Sequence, residues 1–304
     1  MHAPYQPRRP LRSEFVRLRG MKHHLNVWGD TSMASASRPP LLLMHGWMDV
    51  GASFQFTVDA LAHERYVVAP DWRGFGLSDS TPGDCYWFPD YLGDLDALIE
   101  HLAPGQAVDL CGHSMGGNVV MSYAGVRPDR VRRLINLEGF GMPQTRPEHA
   151  PKRLTQWLDE LQTPQALRSY ASLDEVAARL MKTNPLLAAD KAAWLASHWA
   201  RQCEDGRWHV LGDPAHKRVN PVLSRAEDTI ATWRLITAPL LWVEGDRTEF
   251  GKWWGDRYTH AQFEERLSVV PSLRRLKLHP AGHMLHHDQP AALAQAIEDF
   301  IAGS

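Results

Sequence analysis

Apolar residues gather in short blocks along this chain, and the blocks alternate between two periods. Leu41–Met44 (LLLM), Tyr66–Pro70, Ala107–Cys111, Arg133–Leu137 and Pro239–Glu244 are brief, nearly continuous apolar runs, as expected of strands covered on both faces. Between them the spacing changes. In Asp90–Leu102 the apolar positions Tyr91, Leu95, Leu98 and Leu102 recur at helical intervals, and Ala52–Ala62 and Met115–Gly125 also read as helices. Two strands, Glu14–Arg19 and His23–Trp28, are expected near the start. A helix near Gln262–Val270, a strand at Arg274–Leu278 and a helix over Ala291–Ile301 are expected at the end. Strand–helix alternation with apolar strands predicts an α/β fold with a mainly parallel, doubly wound sheet.

The alternation breaks once. From Met142 to about Arg225 the chain reads as helix and loop, rich in proline and tryptophan (Trp157, Trp194, Trp199, Trp208). The expected organisation is therefore a core of residues 13–141 and 226–304 with a helical lid inserted at 142–225. The lid would sit over the carboxyl ends of the strands, where open α/β sheets bind ligands. Residues 1–12, rich in Pro and Arg, read as a flexible tail.

Composition narrows the function. Of 304 residues, 44% are hydrophobic and 22% charged, with a formal net charge of −2. That is ordinary for a globular protein and leaves no basic surplus for a nucleic-acid partner. There is no signal-peptide-like stretch and no long apolar run, so a cytoplasmic protein without a membrane partner is expected. Cys85, Cys111 and Cys203 are scattered and suggest neither zinc nor a disulfide framework. Oligomeric state is not legible.

Three motifs carry the chemistry. Gly112-His113-Ser114-Met115-Gly116-Gly117 follows an apolar strand and opens a helix, the setting a GxSxG elbow requires. A sharp turn there strains the serine backbone, demands small residues two before and two after it, and aims helix N–H groups at developing negative charge. Leu41–Trp47 (LLLMHGW) places a backbone N–H beside that elbow, so Trp47 and Met115 are the expected oxyanion donors. His45 is expected to brace the loop. The third motif is Asp71-Trp72-Arg73-Gly74-Phe75-Gly76-Leu77-Ser78.

HGW, then DWRGFGLS, then GHSMGG, in this order and spacing, resembles the α/β-hydrolase superfamily, in particular its lid-bearing esterases and C–C bond hydrolases. The resemblance spans about residues 15–140 and 235–302 and implies the order serine, acid, histidine. It makes Ser114 the nucleophile, and His283, in Pro280-Ala281-Gly282-His283-Met284, the general base. It makes Asp71 and Arg73 architectural. His279, His286 and His287 crowd the same stretch, but no ligand spacing supports a metal, and no cofactor is expected.

The acid has several candidate positions. Relatives that carry an aspartate three residues after a strand-end glycine would place it at position 248, which is Thr248 here. A related pattern points instead to Glu249, and Asp246 reads as a loop brace. Other relatives carry a glutamate at the end of the strand after the nucleophile helix, which here is Glu138 in Leu134–Gly139 (LINLEG). A carboxylate closing an apolar strand needs a reason, because an unpaired buried charge is costly. Trp253 and Trp254 would line an acyl pocket or simply pack.

The implied activity is hydrolysis of a carboxylic ester of a small-molecule substrate through an acyl-enzyme on Ser114. Ser114 disfavours epoxide hydrolase and haloalkane dehalogenase chemistry, which need an aspartate at the elbow. A C–C bond hydrolase or a perhydrolase remains compatible, as does a ligand-binding signalling module that retains a triad.

Overall fold

The structure is a computed structural model, and it describes residues 4–303. Its centre is an eight-stranded sheet. In chain order the elements are β1 (Arg12–Leu18), β2 (Met21–Trp28), β3 (Leu41–Met44), α1 (Gln55–Ala60), β4 (Val67–Pro70), α2 (Phe88–Leu102), β5 (Val108–His113), α3 (Met115–Val126) and β6 (Val131–Leu137). After β6 come α4 (Ala150–Gln162), β7 (Ser169–Tyr170), α5 (Leu173–Thr183), α6 (Ala189–Trp199), β8 (Ala200–Gln202), β9 (Trp208–Val210) and α7 (Ala226–Trp233). The chain then returns to the sheet through β10 (Leu240–Gly245), α8 (Gly251–Trp254), α9 (His260–Leu267), β11 (Leu273–Leu278), α10 (Leu285–Asp288) and α11 (Pro290–Ala302).

The strand order is β1-β2-β4-β3-β5-β6-β10-β11. β2 runs antiparallel to both its neighbours, and the pairs from β4 through β11 are parallel. Burial on both faces explains why the central strands read as unbroken apolar runs. Alternate residues feed two cores. Leu42 and Met44 join the side chains of α2, α3 and α9 on one face; Leu41 and Leu43 join those of α1 and α11 on the other. This is the mainly parallel sheet, covered by helices on both faces, that the sequence pattern predicts.

Residues 142–225 interrupt the alternation, but they are not purely helical. β7, which precedes α5, joins β8 and β9, which follow α6, in a three-stranded antiparallel sheet of order β7-β9-β8. These strands are two or three residues long, too short for periodicity to reveal. A shared apolar cluster anchors the insert: Tyr170, Val176, Trp194 and Leu195 pack with Val50, Ala52 and Phe56 of the core.

The expectation of a flexible tail at residues 1–12 also needs correcting. Met1–Ala3 lie outside the described residues, and β1 begins at Arg12. The stretch between is tied down by the buried carboxylate of Asp59. It accepts hydrogen bonds from the Tyr5 hydroxyl (2.9 Å), the Arg8 N–H (3.1 Å) and the Arg9 N–H (2.7 Å). The anchor lies about fifty residues away, so local composition gave no sign of it. No helix among the described residues is long and apolar enough to cross a membrane.

Candidate active site

The elbow forms where β5 turns into α3. Ser114 has φ 52° and ψ −114°, outside the regions L-residues ordinarily adopt, and its N–H is held by the Leu137 carbonyl at 2.8 Å. Two close approaches explain the flanking glycines. A Cβ at Gly112 would lie 2.4 Å from the Gly116 carbonyl oxygen, and one at Gly116 would lie 2.2 Å from the Met44 carbonyl oxygen. The turn therefore exists only with both side chains absent.

Three side chains from distant parts of the sequence form a hydrogen-bonded chain. His283 Nε2 lies 3.0 Å from Ser114 Oγ, and His283 Nδ1 lies 2.8 Å from Glu138 Oε2. The other carboxylate oxygen of Glu138 accepts from the Gly245 N–H (2.7 Å) and the Thr248 hydroxyl (2.6 Å). Glu138 is 1% exposed and follows β6 with φ 55°; its own N–H donates to the Val243 carbonyl at 3.1 Å. A buried carboxylate with three donors aimed at it is compensated.

Burial governs the electrostatics. It lowers the His283 imidazole to about 4, so Nε2 carries a free lone pair at neutral pH. Burial also pushes the Glu138 carboxyl above its ordinary range, against the hydrogen bonds from Thr248 and Gly245. His113, itself held neutral by burial, has Nε2 at 2.8 Å from the His283 carbonyl and steadies that loop from beneath.

Glu249, the other acid candidate, is not brought to His283. It is exposed and pairs with Lys252 one helical turn on. The chain turns outward after β10, so Thr248 faces Glu138 and the next side chain faces solvent. Asp246 accepts from the Ala281 N–H at 2.9 Å and from His279, and so braces the loop that carries His283. Asp288 does the same from the far side, accepting from the Gly282 N–H at 2.8 Å while Asn184 of the insert donates to it at 2.8 Å.

His45 accepts the Trp72 N–H at 2.9 Å and donates from Nδ1 to the Gly46 carbonyl at 2.7 Å, holding β3's exit loop. Asp71 accepts from the Gly51 N–H (2.8 Å) and Leu77 N–H (2.9 Å), and Arg73 forms a bidentate pair with Asp94 at 2.6 Å. These are framework contacts. Thr248 and His113 were not singled out as site residues from the sequence. The one local signal was that Thr248 occupies the position where some relatives carry the acid.

Ser114 and His283 open into a cavity of about 2130 Å³ between the sheet and residues 142–225, lined also by Trp47, Met115, Phe140 and Trp253. The Trp253 ring packs edge-on against His283, centroids 4.5 Å apart. Met115 is the first residue of α3, so its N–H has no partner within the helix.

Fold and site together define an α/β hydrolase. Residues 39–290 match the family model described as the alpha/beta hydrolase fold, and the chain belongs to that family. It is similar to a serine hydrolase-like protein of Danio rerio, 29% identical, with 90% of this chain and 83% of that protein aligned. It is also similar to a 2-(acetamidomethylene)succinate hydrolase of Mesorhizobium japonicum, 27% identical over 87% and 88% of the two chains. Among solved structures, the thioesterase domain from the curacin biosynthetic pathway superposes with a TM-score of 0.82 at 25% identity, covering 95% of this chain and 99% of that one.

Proposed function

We propose that the protein is a serine hydrolase that cleaves a carboxylic ester through an acyl-enzyme on Ser114. The observation that carries this reading is the continuous chain from Ser114 Oγ through His283 to Glu138. His283 takes the serine proton as Oγ attacks the carbonyl carbon, and the tetrahedral oxyanion rests on the N–H groups of Met115 and Trp47. Glu138 holds the imidazole in the tautomer whose Nε2 accepts, and it stabilises the imidazolium that forms. His283 then returns the proton to the leaving alkoxide. A water enters, gives its proton to His283 and releases the acid. Residues 142–225 act as the lid that encloses the substrate.

A thioester is a second substrate class for the same steps, favoured by the fold shared with a thioesterase domain across nearly the whole chain. The test is turnover of p-nitrophenyl esters of graded acyl length, beside Ser114→Ala and with fluorophosphonate labelling. Turnover that vanishes in the variant, with one label per chain on Ser114, is expected. A folded protein that neither turns over any ester or thioester nor takes the label overturns the reading and favours a binding module.

A further inference from the structure

Behind the Ser114–His283 pair lies a second cluster that the proposed reaction does not use. Asp49 follows the β3 exit loop, and His286 and His287 lie in α10. All three are buried, and one ligand atom from each lies within 4.8 Å of the other two. Asp49 Oδ2 is 3.6 Å from His286 Nε2, and the Ser53 hydroxyl donates to the same carboxylate oxygen at 2.8 Å.

The histidines are short of partners. Neither ring nitrogen of His287 has a hydrogen-bond partner among the described residues, nor does Nδ1 of His286, although the residues are only 3% and 0% exposed. A buried ring N–H without an acceptor forfeits its bond to water and gains nothing in return. Rings held in that state by packing need a reason. Phe54 lies against His286 (centroids 4.8 Å) and Phe56 stands edge-on to His287 (5.7 Å), so packing holds both rings, and the Ser53 hydroxyl 3.3 Å from His286 Nε2 is the one hydrogen-bond contact that either ring makes among the described residues. The ammonium of Lys191 reaches the His287 carbonyl at 3.4 Å, not a ring nitrogen.

We propose that Asp49, His286 and His287 form a binding site for a divalent transition-metal ion of the zinc class. Two imidazoles and one carboxylate are a donor set such ions favour, with a fourth position for water or Ser53 Oγ. Tetrahedral zinc with bonds of 2.0–2.1 Å places ligand atoms ~3.3 Å apart. The Asp49–His286 gap is already close to that, and side-chain rotation closes the rest. Asp49 and His287 also line the cavity that holds Ser114, which supplies the entry path.

The consequence is inhibition, and this part rests on the hydrolase reading. The rings of His286, His113 and His283 follow one another at centroid spacings of 4.6 and 4.7 Å. A dication at one end opposes the positive charge that His283 must acquire at the other.

The test separates binding from activity. Chelator-stripped full-length protein, as wild type and as Ser114→Ala, is titrated with Zn²⁺ by calorimetry and with Co²⁺ by visible absorption. One equivalent is expected to bind in both, with a tetrahedral Co²⁺ spectrum. Asp49→Asn and His287→Gln should each weaken binding at least about 10-fold. His260→Ala should not; it alters the surface group Glu244, His260 and Glu264, in which Glu244 already pairs with His260 and Lys277 and Glu264 with Arg275. X-ray absorption of the zinc-loaded wild type should count two imidazole ligands, a readout that does not depend on any variant folding. No stoichiometric binding, fewer than two imidazoles, or loss of binding only in His260→Ala overturns the site. Binding without loss of ester turnover retains the site and overturns inhibition.

Discussion

At the scale of single residues, the distinction between two glutamates is the sharpest consequence of the geometry. Glu138 touches His283 and Glu249 touches Lys252. Glu138→Gln, which can no longer select the working tautomer or stabilise the imidazolium, should lower kcat by about 10³–10⁴. Glu249→Gln breaks an exposed pair worth about 0–1 kcal/mol and should leave kcat/KM within about twofold. Steady-state kinetics on the two variants decides between them.

Thr248 makes a second prediction at this scale. Its hydroxyl donates to Glu138 and so favours the ionised carboxylate, opposing burial, which favours the neutral one. The proposed reaction uses Glu138 charged and His283 neutral, so kcat/KM should fall as pH drops through the apparent pKa of the coupled pair. Removing a donor to the carboxylate raises that pKa. Thr248→Val should therefore shift the acid limb to higher pH, while Thr248→Ser restores it. An unshifted limb in a folded Thr248→Val protein would show that the hydroxyl only fills space.

At the scale of elements, the site depends on where strands end. β5 delivers Ser114, β6 delivers Glu138, β10 delivers Gly245 and Thr248, and the loop after β11 delivers His283. One framework pair ties the neighbouring end of β4 to α2. Arg73, after β4, grips Asp94 of α2 with two bonds of 2.6 Å, both side chains buried. Asp94→Asn leaves a buried guanidinium short of charge. Urea denaturation should show a loss of about 3 kcal/mol, the low end for a broken buried pair, since Asp90 still lies 3.2 Å from Arg73.

The strands and core helices were legible because burial on both faces writes itself into short apolar runs and 3.6-residue periods. β7, β8 and β9 were not, since two or three residues carry no period. They exist because the insert folds back on itself and onto Val50, Ala52 and Phe56.

At the scale of the molecule, residues 4–11 belong to the body of the fold. Asp59→Ala should release Tyr5, Arg8 and Arg9 together. Hydrogen exchange should then show the Arg8 and Arg9 amides losing protection while the central strands keep theirs. The insert is joined to the site in the same distributed way, through Asn184 to Asp288 and through the Trp199 indole N–H, which donates to the Met48 carbonyl at 3.0 Å. Contacts of this kind link residues more than a hundred positions apart and leave no local signature.

The sequence by itself pointed to the alternating core, to a break in the alternation after Gly141, to a strained turn at Ser114 and to His283 as its partner. The first three rest on local constraints, a burial period and small residues two before and two after the serine, and the last on the family's order of motifs together with a histidine between the last strand and the last helix. Only the tertiary structure decided that Glu138 and not Glu249 meets His283, that Thr248 and Gly245 support that carboxylate, and that residues 4–11 are anchored. The first two outcomes depend on how far β6 and β10 extend beside each other and on which way the chain turns as it leaves them. That relation exists only once the strands are hydrogen-bonded in register, with Leu134 opposite Leu240 and Leu137 opposite Val243.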